Sequence, residues 1–306
     1  MTLTQLRYVS MIADKLTFSE AAKALFITQP SLTAAIKDLE EELHITIFHR
    51  TNKGVTLTNK GEEFLGYARQ VLEQMQLIEE KYKETTARKQ QFCVSAQHYS
   101  FVVEAFVDLL KQYEHEKYDF RIRETQTYEI IEDVAKLKSE IGVLYLNDDN
   151  KTIIMKELKR HELTFYPLFR AKPHVFLSKD HPLSNKTSIC LEELANYPRL
   201  SYEQGDHNAF YFSEEILSML ECDKEIIVRD RATLFNLLIG LHGYTISSGI
   251  ISEALNGENI ISVPLVVDDY MEIGYVVHNR MIPGPLMKQY IEYLHFHVST
   301  MQYEHP

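Results

Sequence analysis

Residues 18–50 read FSEAAKALFITQPSLTAAIKDLEEELHITIFHR, and their spacing predicts two helices joined by a short turn. Thr28 is suited to cap the later of these two helices, and Pro30 falls in the first turn of that helix, where a missing N–H costs nothing. Apolar positions then recur at steps of four, three and four, at Leu32, Ile36, Leu39 and Leu43. This pattern predicts a helix that begins near Gln29 and buries one side.

The residues before this stretch predict one more helix. Thr2 with Gln5 three residues later fits a capping box, and apolar residues follow at helical spacing. The helix before the turn, which is the second of the chain, is expected from about Ser19 to Leu25, where small alanines permit close packing. The N-terminus is therefore predicted to contain three packed helices.

The outward side of the third helix carries small and polar residues with one cation, Lys37. Small residues allow a helix to enter a DNA major groove, while Gln29, Ser31 and Thr33 near its beginning can reach base edges. This favours a helix-turn-helix. The alternative is a three-helix packing unit whose polar side only meets water.

Two β-prone runs follow, Ile45–Phe48 and Val55–Leu57, separated by a polar tip that contains glycine. They predict a hairpin of the kind called a wing. Arg50 and Lys53 in its tip would suit contact with phosphate or with the minor groove. The alternative is a solvated turn with no role in binding.

Residues 18–50, followed by GVTLTNKGEEFL at 54–65, resemble the DNA-binding domain of LysR-type transcriptional regulators. The resemblance is dense over about the first 65 residues. It implies a winged helix whose third helix docks in a major groove. The residues implied to face DNA are Gln29, Pro30, Ser31, Thr33 and Lys37, with Arg50, Asn52 and Lys53 on the wing. Ala34 departs from members that have Arg or Gln at this position.

A proline-free stretch from Asn59 to about Arg88 predicts a long helix. Its apolar seam alternates steps of four and three, as in a coiled coil: Phe64, Ala68, Val71, Met75, Ile78 and Tyr82. We therefore predict a homodimer built on this helix, and the family resemblance implies tetramers. The alternative is an amphipathic helix that lies on its own domain, which requires a wider apolar stripe.

The charge of the chain is distributed unevenly. The 306 residues contain 32 Lys plus Arg and 44 Asp plus Glu, a formal net charge of −12. Residues 1–90 contain 12 basic and 12 acidic side chains, so the whole acidic excess lies beyond them. A local basic surface on the N-terminal part is therefore compatible with the acidic total.

Composition excludes several other classes of protein. The hydrophobic fraction of 45% and charged fraction of 25% are typical of globular domains. The three cysteines, Cys93, Cys190 and Cys222, form neither a zinc pattern nor a disulfide framework. With no predicted leader or membrane span, we expect a cytoplasmic protein that needs no metal or cofactor.

Beyond residue 90, strand-like and helical runs alternate, which predicts an α/β fold. The series begins with strands at Phe92–Ala96, Tyr118–Glu124 and Ile141–Leu146, expected to be parallel. Later runs include a predicted helix at Ala209–Leu220. The LysR resemblance, looser here, implies a two-lobed effector domain like a periplasmic binding protein, with crossovers near 163–167 and 264–268.

The predicted organisation is a DNA-binding domain over 1–58, a linker helix over 59–89 and an effector domain over 90–306. Lobe I would contain 90–163 and 268–306, and lobe II would contain 164–267. The fold class is α/β overall, with a mostly helical N-terminal winged helix.

Ligands of parallel sheets bind beyond the carboxyl ends of the strands. Here those ends are rich in hydroxyl and amide groups, which would suit an amino-acid-like or small carboxylate effector. The candidate residues are Gln97, His98, Ser100, Thr127, Tyr145, Ser201, Tyr202, Thr245 and Ser247. Each hydroxyl could instead cap a helix. Arg229 and Arg231 could clamp an anion or form a surface ion-pair cluster with Asp230.

The sequence thus predicts a DNA-binding transcriptional regulator controlled by a small-molecule effector. One alternative is a small-molecule binding protein of α/β type that does not bind DNA. A second is an enzyme with an α/β core, although no P-loop, paired-glycine or nucleophile-elbow motif is present.

The predicted dimer can be tested on the linker helix. We expect Val71→Glu combined with Met75→Lys to weaken dimerisation and DNA binding together, because both changes place charges in the apolar seam. Light scattering at micromolar concentration measures the first effect. A wild-type chain that is monomeric under these conditions would refute the dimer.

Overall fold

The computed structural model describes residues 1–51, 54–82, 89–113, 117–205 and 210–302. The chain divides into two compact units. One consists of residues 1–88 with 136–138, and the other of residues 89–135 with 139–306. None of the helices in the described ranges is long and apolar enough to cross a membrane.

The N-terminal unit contains three helices, a hairpin and a long helix. The elements are α1 (Leu3–Lys15), α2 (Phe18–Ala24), α3 (Gln29–Leu43), β1 (Phe48–Thr51), β2 (Gly54–Leu57) and α4 (Asn59–Tyr82). The predicted caps are confirmed. The Thr2 hydroxyl accepts from the Gln5 N–H at 3.2 Å, and the Thr28 hydroxyl accepts from the Ser31 N–H at 3.3 Å. Local capping therefore sets the beginnings of α1 and α3.

The core of this unit lies where α1, α2 and α3 meet the hairpin. Val9, Ile12, Leu32 and Leu39 are fully buried, and the Phe18 and Phe48 rings pack edge to face with centroids 6.0 Å apart. The apolar stripe predicted for α3 is thus the side that packs. Its other side is left for solvent or a partner.

The first strand of the hairpin begins later than the predicted Ile45–Phe48. The Glu40 carboxylate of α3 accepts hydrogen bonds from the N–H groups of Ile47 at 2.5 Å and Phe48 at 3.1 Å. Ile47 is therefore bonded to the helix, and pairing with β2 starts at Phe48, opposite Leu57. The strand therefore begins three residues later than predicted, because the Glu40 side chain binds the backbone where the strand was expected.

The C-terminal unit has two lobes, defined here by their sheets. The first lobe consists of β3 (Gln90–Ala96), α5 (Ser100–Gln112), β4 (Tyr118–Glu124), α6 (Thr127–Ala135), β5 (Ile141–Leu146), α7 (Lys151–Arg160), β6 (Leu163–Ala171), β12 (Met271–His278) and α11 (Pro285–Gln302). The second consists of β7 (His174–Ser178), α8 (Leu191–Leu194), β8 (Arg199–Tyr202), β9 (Glu225–Val228), α9 (Arg231–Leu241), β10 (Thr245–Ser247), α10 (Glu253–Asn256) and β11 (Ile260–Pro264).

The first lobe is built on a five-stranded sheet in the order β4-β3-β5-β12-β6. The strands β3, β4 and β5 are parallel, as predicted, whereas β12 runs antiparallel to both β5 and β6. The helix α7 connects β5 to β6, which run parallel on either side of β12, and the chain leaves this lobe after β6 and re-enters it through β12.

The second lobe is mostly antiparallel. In its three-stranded sheet, β7 pairs antiparallel with β10 and β11, and β8 forms a separate parallel pair with β9. The carboxyl end of β10 therefore does not lie at the same edge as that of β7. Parallel strand ends therefore meet at β8 and β9, and a parallel bridge between Arg199 and Tyr244 gives β10 the same direction as β8, whereas β7 runs the opposite way.

The predicted helix at Ala209–Leu220 is wrong where the structure describes it. Residues Phe210–Phe212 form one 3-10 turn, and turns and bends follow to residue 220. Glu214 and Glu215 are both buried here, and their carboxylates accept hydrogen bonds from the backbone of other segments. Those tertiary bonds outweigh local helix propensity. The helices α7 and α10 were not predicted.

Two glycines provide a matched test of packing. A Cβ atom on Gly61, in the first turn of α4, would lie 2.1 Å from the carbonyl oxygen of Ile47. We expect Gly61→Ala to destabilise the N-terminal unit by about 1–3 kcal/mol, because the backbone must shift.

The control is Gly240→Ala in α9, where a Cβ atom would meet nothing within 4 Å. It should be neutral or stabilising by up to about 1 kcal/mol through helix propensity. Denaturant unfolding of the full chain measures both variants. Equal effects of the two substitutions would contradict the packing argument.

Candidate functional site

The N-terminal part of α3 presents most of the predicted DNA-facing residues at the surface. Gln29, Pro30, Ser31 and Lys37 are exposed, and Thr33 is half-buried. The ammonium group of Lys37 lies 3.4 Å from the Glu41 carboxylate one turn later, and its side chain remains largely solvated. A surface pair of this kind is weak, so Lys37 can exchange Glu41 for a phosphate at little cost.

The predicted wing is the hairpin of β1 and β2, which follows α3 along the chain. Arg50 lies in β1 opposite Val55, but its side chain is outside the described residues, as are Asn52 and Lys53 entirely. Gly54 has a φ of +137° at the start of β2, and a Cβ atom there would lie 2.5 Å from the Leu16 carbonyl. The Val55 N–H donates to that same carbonyl at 2.9 Å. Glycine is therefore required where the hairpin joins α1.

Phe26 is a surface feature that the sequence analysis did not include in the site. It occupies the turn before α3 with a φ of 56°, and its side chain is 97% exposed. An aromatic residue in a left-handed turn is unusual. The only signal in the sequence was a large residue at a position where many helix-turn-helix domains have a small one.

The predicted dimer seam on α4 divides into two parts. Phe64 packs against the core of the N-terminal unit, and Ala68 is buried within the chain. Val71 and Ile78 are 46% and 56% exposed, Met75 is half-buried, and the side chain of Tyr82 is not described. The exposed part of the seam is thus confined to the later turns, and its pairing with a second copy stays a prediction.

In the C-terminal unit, the strand ends of the two lobes face one cavity of about 510 Å³. In the first lobe, Ala96 at the end of β3 is paired with Glu124 at the end of β4. In the second, Tyr202 at the end of β8 is paired with Val228 of β9. The lining consists of His98, Glu124, Thr125, Gln126, Glu129, Tyr202, Glu203, Gln204, Gly205, Glu214 and Arg229. The volume suits a small metabolite.

His98 connects the lobes at the back of this cavity. Its ring stacks on that of Tyr202 with centroids 3.7 Å apart, and its Nδ1 lies 2.7 Å from Glu214 Oε2. The backbone N–H of His98 donates to Glu214 Oε1 at 2.6 Å. Burial lowers the pKa of His98, but the charge and hydrogen bond of Glu214 raise it further, so the net shift is upward. Both lobes therefore contribute to one charge-assisted contact.

Three predicted effector residues lie behind the lining. Gln97, Thr127 and Tyr145 are buried, and the Gln97 side chain donates to the Thr127 hydroxyl at 2.7 Å and accepts from the Tyr145 N–H at 3.1 Å. The Tyr99 hydroxyl also donates to Gln97, at 2.9 Å. This network holds the backbone next to His98 at the end of β3 in place.

The other predicted residues occupy different positions. The Ser100 hydroxyl accepts from the Ser252 N–H at 3.2 Å, which joins the lobes away from the cavity. Ser201 lines a neighbouring cavity of about 600 Å³, which shares Tyr202 with the first. Thr245 is buried, and neither it nor Ser247 is among the described residues that line the two cavities.

The cavity also contains four carboxylates that were not predicted from the sequence. Glu124, Glu129, Glu203 and Glu214 all line it. Arg229 is paired with Glu203, and Arg231 with Glu124, while Asp230 caps α9 through the Thr233 N–H at 2.8 Å. The proposed anion clamp thus has both arginines bound to glutamates. These residues are far apart in sequence, so local patterns could not connect them.

Glu215 lies behind the cavity and is only 5% exposed. Its carboxylate accepts from the Tyr202 N–H at 2.8 Å and from the Ser213 hydroxyl at 3.2 Å. Burial, with a further contribution from the charge of Glu214, raises the pKa of Glu215 to about 8. This buried side chain is therefore predominantly protonated at neutral pH.

This pKa predicts a pH-dependent stability. A carboxyl whose pKa is raised on folding contributes stability at low pH that is lost as the pH rises from the unfolded value of 4.5 through about 8. The free energy of unfolding should fall by at most about 1.4 kcal/mol per pH unit from this group. We expect Glu215→Gln, which stays neutral, to remove that part of the slope.

Thermal unfolding between pH 5 and pH 9 measures the effect, with Glu192→Gln at an exposed position of α8 as the control. Parallel pH profiles for the wild type and Glu215→Gln would show that Glu215 does not titrate in this range.

Comparison with known proteins agrees with these two units. Residues 3–62 match the family model described as a bacterial regulatory helix-turn-helix protein of the lysR family, and residues 92–298 match the LysR substrate binding domain. The transcriptional regulator AlsR of Bacillus subtilis strain 168 is 28% identical over 312 residues, which cover 99% of this chain and 96% of AlsR. YbhD of Escherichia coli K12, named as a transcriptional regulator, is 26% identical, with 86% of this chain and 81% of YbhD covered.

Solved structures show the same fold. A full-length OxyR variant from Pseudomonas aeruginosa superposes with a TM-score of 0.63 at 22% identity and covers 97% of both chains. An OxyR variant from Corynebacterium glutamicum gives a TM-score of 0.52 at 18% identity, with 98% of this chain and 93% of the other covered. Each unit contains one of the two matches, which together cover well over half of the chain, and the chain is a member of the LysR family of DNA-binding transcriptional regulators.

Proposed function

We propose that the chain binds operator DNA through α3 and that a small molecule in the cavity between the two lobes modulates binding or DNA bending. Members of the family are regulators and not enzymes. The observation that carries the proposal is the orientation of α3: its apolar stripe is buried, while Gln29 and Ser31 face outward at its beginning and Lys37 faces outward about two turns later. That is the part of a recognition helix that meets base edges and phosphates.

The roles of individual residues follow from this orientation. Gln29, Ser31 and Thr33 supply polar groups for base edges, and Pro30 permits close approach of the helix. Lys37 and the wing residues Arg50, Asn52 and Lys53 would contact the phosphate backbone or the minor groove. With 12 basic and 12 acidic side chains in residues 1–90, affinity must come from a few placed cations.

Pairing of two chains supplies the remaining affinity, because linked half-sites bind more tightly than one. The exposed Val71 and Ile78 of α4, with Met75 between them, support a homodimer through the later turns of this helix. Assembly into tetramers is part of the proposal, as are the domain limits 1–58, 59–89 and 90–306. Since the target is chromosomal DNA, we place the protein in the cytoplasm.

The effector is proposed to be amino-acid-like or a small carboxylate, bound beside His98 and Tyr202. The carboxylates of the lining support an effector that carries an ammonium group over one that is only an anion. The effector must bind two arrangements of the regulator unequally, since a ligand with equal affinity for both shifts nothing. Contacts that join the lobes, such as His98 with Glu214, are those that such a ligand can alter.

The DNA proposal is tested on the DNA upstream of the protein's own gene. We expect Lys37→Ala to weaken binding several-fold and to reduce the slope of log K against log salt by about 1 per subunit, because one phosphate contact is lost. A gel-shift titration at several salt concentrations gives both values.

The control is Lys156→Ala on α7, which removes the same charge from an exposed position of the C-terminal unit. It should bind as the wild type does. Identical salt slopes for Lys37→Ala and the wild type would exclude Lys37 from the interface.

A further inference from the structure

The first relevant feature of the cavity is the state of its cations. Arg229 forms a two-point ion pair with Glu203, with one N–O distance of 3.0 Å. Arg231, behind the lining, is bound to Glu124, and His98 is bound to Glu214. Each of these cationic or proton-accepting side chains is already engaged by a carboxylate. The Arg231 and His98 pairs are largely buried, so a purely anionic ligand would have to break one of them before it gained that cation as a partner, whereas the Arg229 pair is exposed and weak.

The second feature is a carboxylate that forms no ion pair. Glu129 lines the cavity from α6 and accepts a hydrogen bond from the Thr125 hydroxyl. Among the described residues it forms no ion pair within 4.0 Å. Burial raises the pKa of Glu124 despite the neighbouring Arg231, which means that its anionic form is disfavoured. Glu129 is exposed and interacts with Arg123 only at longer range, so its carboxylate is accessible to an incoming cation.

The third feature is independent of charge. Gln204 is 6% exposed and lines both cavities, and its Oε1 has no hydrogen-bond partner among the described residues. In this orientation Nε2 donates to the Tyr202 carbonyl at 3.4 Å. A buried acceptor without a donor is costly, and a ligand N–H would satisfy it.

Arg231 Nε is a buried donor that also lacks a partner in the described structure, but Arg231 is not part of the lining. The unmet groups on the cavity wall itself are thus acceptors. No group of three or more carboxylates, histidines or cysteines among the described residues is arranged to hold a metal ion. The features together indicate an organic donor.

We propose that the cavity binds a small organic cation, a molecule with a protonated amine that donates to Gln204 Oε1 and to the Glu129 carboxylate. The inference rests on the proposed function, since it takes this cavity as the effector site. It narrows the effector to molecules that are recognised through an ammonium group. A cation there also lowers the repulsion between the carboxylates that the two lobes bring together.

Isothermal titration of the full chain tests the class of ligand. The probes are 1,4-diaminobutane and spermidine as amines and glutarate as a dianion of similar length, all at equal ionic strength. We expect at least one amine to bind and glutarate not to bind. Binding of glutarate alone, or of none of the three, overturns the proposal.

The variants locate the site. Glu129→Gln should weaken amine binding about tenfold or more, because it removes a charge-assisted hydrogen bond. Gln204→Leu should weaken it several-fold, and Glu192→Gln, which removes the same charge from α8, should leave it unchanged. Equal affinity of the amine for wild type and Glu129→Gln places the amine elsewhere and overturns the proposal. Glu129 is exposed, so its substitution does not depend on refolding a core.

The same preparation, without ligand, is titrated with the upstream DNA. Loss of amine binding with DNA binding intact refutes the cation and leaves the regulator. Amine binding without DNA binding refutes the regulator and leaves the cation site. The two proposals therefore fail separately.

Discussion

The buried contact between His98 and Glu214 joins the strand ends of one lobe to a loop of the other. The segment around Glu214 is not helical, and its Glu214 carboxylate contacts the Nδ1 edge of the His98 ring. The Tyr202 ring stacks on the face of the same imidazole. The neighbouring Glu215 is bound to the Tyr202 backbone and held in its protonated form by burial. One charge-assisted contact thus places the loop, the aromatic wall and the carboxylates of the cavity.

The two units solve recognition in different ways. The N-terminal unit is stabilised by an apolar core and by side-chain caps, so it can leave a polar helix face free for DNA. The C-terminal unit instead concentrates charged groups at an internal cleft, where each arginine is held by a glutamate. Two of the contacts, Arg231 with Glu124 and His98 with Glu214, cross between the lobes, whereas Arg229 and Glu203 both belong to the second lobe.

Much of the fold was predictable because its signals are local. The capping box at Thr2, the cap at Thr28 and the apolar steps of α3 depend on residues within four positions, and the structure confirms them. The parallel strands β3, β4 and β5 followed from regular alternation. The failures occurred where distant groups compete. Glu40 delayed β1, and the bonds of Glu214 and Glu215 replaced the helix predicted at Ala209–Leu220.

The amino-acid sequence was sufficient to establish the class of protein, since helix caps, heptad spacing and the motif at 18–50 are encoded by near neighbours along the chain. It also indicated His98 and Tyr202 as cleft residues, because both follow strands. The chemical character of the cleft was set only when folding brought Glu124, Glu129, Glu203 and Glu214 around one cavity. Electrostatic pairing and the direction of β10 depend on distances between segments that no local pattern encodes.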